Sequence, residues 1–105
     1  MNETEFRELA DVAFERLDAA LEACVADVDW TQVGSGVVEL EFGDGSKIVV
    51  NRHASAQEIW VAARSGGFHF RWDGCAWRDT RDGRELFEAL SALASLQAGE
   101  PVSLI

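Results

Sequence analysis

The sequence predicts an α+β fold, a two-layer sandwich in which two helices pack on one face of a twisted antiparallel sheet of five to six strands. Apolar residues recur at helical spacing at both ends of the chain, over residues 3–24 and 85–98. Between them, short alternating segments are separated by turn-forming sequences. Each helix has one apolar face, and an antiparallel sheet can leave its other face in water, so we expect both helices on the same side.

The chain has 105 residues, of which 48% are hydrophobic and one is a proline. A chain of this length buries roughly 65% of its unfolded surface, which is enough for one core. No internal repeat, linker or low-complexity segment interrupts it. We therefore expect a single domain over residues 1–105.

The first helix is predicted over residues 3–24. Its apolar arc consists of Phe6, Leu9, Ala10, Ala13, Phe14, Leu17, Ala20, Leu21 and Cys24. The opposite side carries five carboxylates, here called the acidic stripe: Glu8, Asp11, Glu15, Asp18 and Glu22. Asn2 followed by Glu5 is typical of a capping box, which starts the helix near residue 3.

The strands are predicted from period-two alternation at 28–33, 37–42, 47–52, 58–64, 68–72 and 76–78. The sequence Gly43-Asp44-Gly45-Ser46 indicates a hairpin, because Asp-Gly tolerates the positive φ of tight turns. We interpret Gly66-Gly67 as a bend between strands. The result is an antiparallel meander.

The second helix is predicted from a stripe formed by Leu86, Phe87, Leu90, Leu93, Ala94 and Gln97. Gly99 and Pro101 then give a stop signal. We expect the remaining tail to pack between the helices.

Charge is the unusual property of this composition. The chain carries 19 acidic and 9 basic residues, a net of −10, and residues 1–45 hold 12 of the acids with only Arg7 and Arg16. Such a protein repels nucleic acid and anionic membranes and suits cationic partners or metal ions. Cys24 and Cys75 form no CxxC pair, so no zinc or redox motif is expected. With no secretory leader and no apolar run near 18 residues, we expect a cytoplasmic protein.

The acidic stripe, extended by Asp27 and Asp29, is a candidate metal site. Oxygen ligands without Cys or His favour hard cations, which include ferric and ferrous iron as well as magnesium, calcium and manganese. The residue types alone do not choose among these metals. The simpler alternative is a solvated helix face.

Trp60 marks a second candidate site. In a strand over 58–64, Ile59 and Val61 point to the core, so Trp60 points away from it, near Asn51. Aromatic residues are enriched at interfaces, and we interpret this face as a contact surface. We interpret His53 and His69 as surface histidines. No Ser-His-Asp order, nucleotide loop or HExxH motif appears, so no enzyme is expected.

The segments GSKIVVNR, EIWVA and GGFHF resemble the frataxin family. The first and last segments, MNETEFRELAD and QAGEPVSLI, are similar to its bacterial branch, so the resemblance covers nearly the whole chain. Its most specific part is the Asn-Arg pair followed eight residues later by Trp and then by Gly-Gly-aromatic. His53 and Glu58 differ from the family, which usually has glutamine at both positions.

The resemblance implies the predicted sandwich and an iron-binding accessory role in iron–sulfur cluster assembly. A frataxin binds iron weakly through an acidic ridge on its first helix and first strand. Four residues match that ridge: Asp18, Glu22, Asp27 and Asp29. The more weakly supported metal candidates are Glu8, Asp11 and Glu15. The ridge is thinner than in many bacterial relatives, because Ala19, Ala23 and Gln32 stand where those often carry acids.

The resemblance also implies a cysteine desulfurase and an iron–sulfur scaffold protein as partners of a monomer. The partner-binding candidates are Asn51, Trp60, Glu22 and Asp27. An alternative is an iron-storing or ferrous-oxidising oligomer, against which the lack of a Glu-x-x-His motif counts. A further alternative is an acidic interaction domain without a metal.

Overall fold

A computed structural model describes all of residues 1–105 and contains two helices and six strands. The elements are α1 Glu3–Ala23, β1 Asp29–Val33, β2 Val37–Glu41, β3 Lys47–His53, β4 Glu58–Ala63, β5 Gly66–Trp72, β6 Trp77–Asp79 and α2 Leu86–Ala98. This confirms the predicted α+β architecture, and the element bounds differ from the predicted ones by one or two residues. No helix combines the length and the apolar composition that a membrane crossing requires.

The six strands form one sheet in sequence order, β1-β2-β3-β4-β5-β6, with every neighbouring pair antiparallel. The predicted meander is therefore confirmed. In this register Asn51 lies opposite Trp60, and Trp60 lies opposite His69 on the next strand. Three neighbouring strands thus bring these residues into one row across the sheet.

The core lies between the sheet and the helices as a single cluster of 23 buried residues. It joins inward-facing strand residues such as Leu40, Ile48 and Ile59 to apolar residues of both helices. Both helices therefore cover the same face of the sheet, as predicted. The helix residues expected in the core are all buried: Leu17, Leu21, Leu90 and Leu93.

Local signals fix both helix ends. The Asn2 side chain accepts a hydrogen bond from the backbone N–H of Glu5 at 2.8 Å, which confirms the predicted cap of α1. Glu85 caps α2 by accepting from the Glu88 N–H at 3.1 Å. Gly99 ends α2 in the left-handed conformation with φ 71°.

The Gly66-Gly67 prediction was wrong in its detail. Both glycines belong to β5, and β4 pairs with β5 as far as Ala63 opposite Gly66. Only Arg64 and Ser65 remain for the turn, which is the shortest common hairpin connection. Gly66 provides the unusual φ of 145° that this connection uses.

The C-terminal tail packs along α2. The hydroxyl of Ser95 donates to the Val102 carbonyl and accepts from the Val102 N–H, at 3.1 and 2.9 Å. Ser91 accepts from the Leu104 N–H at 2.9 Å. Val102 and Leu104 are buried, so the tail completes the core.

Candidate functional site

Helix α1 presents the acidic stripe on the side away from its buried arc. Glu8, Glu15 and Glu22 are exposed along this side, and Asp18 is half-buried. The 3.6-residue period places all five carboxylates on one face, and like charges at this spacing repel one another by a few tenths of a kcal/mol per pair. The stripe is therefore a region of concentrated negative charge.

Two members of the stripe have partners that the sequence did not suggest. The Arg52 Nη1 atom of β3 lies 2.6 Å from Oδ1 of Asp11, and Gln32 of β1 donates to Oδ2 of Asp18 at 2.6 Å. Arg7 and Arg16 are the basic residues near the stripe in sequence, but the cation that pairs with Asp11 comes from 41 residues away. No ion pair involves Glu15, Asp18 or Glu22.

A groove of about 170 Å³ separates the acidic stripe from the first two strands. Asp18 lines it, and partial burial raises the pKa of the Asp18 carboxyl. The hydrogen bond from Gln32 opposes this rise, whereas the charges of Glu22 and Glu15 add to it. The buried Oδ1 atom of Asp18 and the Nε atom of Arg52 have no hydrogen-bond partner. Within the stripe, Asp18 is thus the carboxylate whose ionised form the fold disfavours.

Asp27 and Asp29 continue the negative charge beyond the end of α1. Both are exposed, and neither forms an ion pair. With Asp18 and Glu22 they make up the ridge, as this set of four is called below. No group of three His, Cys, Asp or Glu side chains comes close enough to hold one metal ion. The ridge therefore offers separate oxygen ligands, which suit a largely hydrated cation held by one or two carboxylates.

The sheet face away from the helices carries Trp60 at its centre. The indole ring stacks between two imidazoles, with its centroid 3.9 Å from that of His53 and 4.6 Å from that of His69. The interplanar angles are 16° and 12°. Strand alternation put Trp60 on this face, as the sequence predicted, while Ile59 and Val61 are buried on the other.

A shallow depression of about 210 Å³ lies beside the Trp60 ring. Its floor and walls come from three strands and include Val49, Asn51, Ala62, Gly67 and His69. The small residues on β4 and β5 create the space, and the Asn51 amide adds a donor and an acceptor at its edge. This shape can receive an apolar side chain from a partner.

Glu58 lies on the same strand and the same sheet face as Trp60, two residues before it, but is only 6% exposed. Its Oε1 accepts a hydrogen bond from the Trp60 Nε1–H at 2.8 Å, and its Oε2 lies 2.6 Å from Nη2 of Arg71. Burial acts to raise the pKa of this carboxyl, but the bonds from Trp60 and Arg71 and the charges of Arg71 and His69 outweigh it and lower the pKa. Glu58 is therefore held ionised.

Asn51 and Trp60 were predicted from the sequence as contact residues, but the stacking and hydrogen bonding around Trp60 were not. His53 and His69 were interpreted as surface histidines; they do lie at the surface, and both also stack on Trp60. The contact between Trp60 and His69 could have been predicted from the register of the meander, because the two residues are directly opposite each other on β4 and β5. Nothing in the local pattern indicated that Glu58, at a strand end, would be buried.

Comparison with protein families matches residues 1–100 to the frataxin-like domain. An iron–sulfur cluster assembly protein CyaY from Dechloromonas aromatica is 64% identical over 104 residues, which cover 99% of each chain. The protein of the same name from Cupriavidus metallidurans is 53% identical over 108 residues, covering 99% of this chain and 96% of the relative.

A solved structure shows the same fold. The frataxin from Psychromonas ingrahamii, described as a model for stability modulation within the CyaY family, superposes with a TM-score of 0.90. It is 33% identical to this chain, and the match covers 100% of this chain and 99% of the other. The sequence comparison and the structural comparison therefore identify relatives from the same family.

Proposed function

The chain belongs to the frataxin-like family, and on that premise we propose that it is an iron-binding accessory protein of iron–sulfur cluster assembly that docks on the cysteine desulfurase. Its close relatives carry the name iron–sulfur cluster assembly protein. In this proposal it modulates the desulfurase and meets the scaffold protein on which clusters are built. It acts in the cytoplasm, as a monomer, and catalyses no reaction of its own.

The observation that carries the proposal is the uncompensated charge at the end of α1 and the start of β1. Residues 1–45 have 12 acids against two arginines, whereas residues 46–105 have seven of each sign. No ridge carboxylate forms an ion pair within the protein. Carboxylates that repel one another and have no cationic partner within the protein are suited to bind an external cation or a basic partner.

Iron fits the ridge as a cargo that is held loosely. The ligands are carboxylate oxygens, which suit ferric and ferrous ions, and they are spread along the ridge instead of forming a cage. Such a site binds a hydrated ion and releases it readily. That behaviour suits a carrier better than a store.

Docking would use two surfaces. The ridge, through Glu22 and Asp27, would meet a basic patch on the desulfurase and steer the encounter. The outer sheet face, through Asn51 and Trp60, would add apolar contact, because a half-buried Trp beside a depression has the character of an interface anchor.

A titration with ferrous iron, followed by amide NMR, tests the metal part of the proposal. We expect line broadening confined to residues 15–30 in the wild type and its loss when the four ridge carboxylates become amides. Sedimentation of the same samples should show a monomer throughout. Broadening spread evenly over the chain, or assembly into large oligomers with iron, would contradict the proposal.

A further inference from the structure

Trp60 presents an edge, not a face, to solvent. Both broad sides of its indole ring are covered, by His53 at 3.9 Å and by His69 at 4.6 Å. A partner that reaches this surface can contact the indole ring only along its exposed edge, next to the depression. The orientation of the ring therefore decides which shape the docking surface has.

Stacking alone does not fix that orientation. Two near-parallel imidazoles hold the plane of the indole, but they allow it to slide and to rotate within that plane. A hydrogen bond to Nε1 removes this freedom, because the single polar atom of the ring is then tied to one place. In this structure the indole Nε1–H donates to Oε1 of Glu58 at 2.8 Å.

Glu58 is itself held in place by other groups. Its second oxygen accepts from Arg71 at 2.6 Å, and His69 Nδ1 lies 3.5 Å from Oε1. A carboxylate that is 6% exposed persists in the charged state only when such donors replace its lost water. The energetic cost of burying Glu58 is thus offset by three groups that converge on its carboxylate, from Trp60, Arg71 and His69.

We infer that Glu58 is the positioning residue of the docking surface: it holds Trp60 edge-on between His53 and His69 in the orientation that the partner recognises. This inference rests on the proposed docking function. Glu58 is only 6% exposed and lies at the Nε1 edge of the ring, so it acts on the partner through Trp60 and not by direct contact.

The test combines the indole N–H signal of Trp60 in NMR with affinity for the cysteine desulfurase. In Glu58→Leu, a side chain of similar volume with no acceptor, the signal should move and affinity should fall about tenfold. Glu58→Gln retains an oxygen acceptor, so its signal and affinity should stay within about twofold of the wild type. Glu88→Leu removes the same charge from the exposed side of α2 and should change neither.

A second variant keeps the test decisive if Glu58→Leu does not fold. Trp60→Phe preserves an aromatic ring between the imidazoles but removes the N–H donor, so affinity should again fall about tenfold. Combining it with Glu58→Leu should cost no more than either change alone, because both remove the same bond.

The inference is overturned if Glu58→Leu leaves the indole signal in place, or if Trp60→Phe binds as the wild type does. An equal loss of affinity in Glu88→Leu would overturn it too, because the effect would then be one of net charge. The Trp60→Ala variant distinguishes a failure of docking through this face from a failure of the positioning role of Glu58. Normal binding by that variant means that docking through this face fails, whereas weak binding beside normal binding by Glu58→Leu means that only the positioning role fails.

Discussion

Arg52 of β3 reaches across to helix α1 and places its Nη1 atom 2.6 Å from Oδ1 of Asp11. Its guanidinium also lies over the Phe14 ring, 4.6 Å from the centroid. The next residue, His53, points to the opposite side of the sheet and stacks on Trp60. Two consecutive residues of β3 therefore connect the acidic stripe on one side with the Trp60 surface on the other.

The Asp11–Arg52 pair should be the one position in the stripe where a carboxylate stabilises the fold. Asp11→Asn should lower the free energy of unfolding by about 0.5–1 kcal/mol, because Arg52 is largely buried but Asp11 is about half exposed. Glu15→Gln is the matched control and should cost nothing, because Glu15 has no cation. Urea denaturation of both variants checks this. Equal free energies of unfolding for the two variants would mean that the Asp11–Arg52 pair does not stabilise the fold.

Asp18 should behave in the opposite way. Its pKa is raised, so the folded state binds the proton more tightly than the unfolded chain, and stability falls as pH rises above about 3.8. Asp18→Asn should therefore be as stable as the wild type near pH 3 and more stable at pH 7. Melting temperatures at the two pH values test this. A variant that is less stable at pH 7 would contradict it.

Asp44 of the β2–β3 turn gives a pH dependence of the other sign. Its hydrogen bonds to Ser46, together with the bond from Arg64, lower the pKa of its carboxyl to about 2. The folded state holds the ionised form, so the stabilisation is full above about pH 4 and is lost as pH falls through 2.

Asp44→Ala should therefore melt below the wild type at pH 7, and the gap should close toward pH 2. Glu100→Ala, which alters an exposed carboxylate beyond α2, should show no such gap. A gap for Asp44→Ala that stays constant with pH would mean that the turn does not depend on the charge.

Much of this fold was predictable from periodicity, because helices and an antiparallel meander impose periods of 3.6 and 2 on apolar residues. The outward position of Trp60 follows from the same rule. The Asp11–Arg52 pair does not, because its partners lie 41 residues apart and meet only through the packing of α1 on β3. Burial of Glu58 likewise depends on where Arg71 and Trp60 place their side chains, which a pattern of residue types does not specify.

Trp60 should separate a contact role from a core role in one variant. Trp60→Ala loses two stacking contacts and the hydrogen bond to Glu58 and should cost about 2–3 kcal/mol of stability. Binding of the desulfurase should weaken by about 2 kcal/mol or more. Trp77→Ala is the control, since Trp77 is 3% exposed in the core and its loss should cost about 3–5 kcal/mol. Thermal melting beside a binding assay compares them. A large loss of stability with normal binding by folded Trp60→Ala would place the contact surface elsewhere.

Affinity for the cysteine desulfurase, measured at about 50 mM and about 300 mM salt, tests the proposed docking most directly. The wild type should bind at low salt and weaken at least about tenfold at high salt, because charge on the ridge drives the encounter. With Asp18, Glu22, Asp27 and Asp29 changed to amides, binding should be weak at both concentrations, and the fold should be at least as stable. Equal affinity of the two proteins at low salt, or no binding by the wild type, would contradict the ridge as a docking surface.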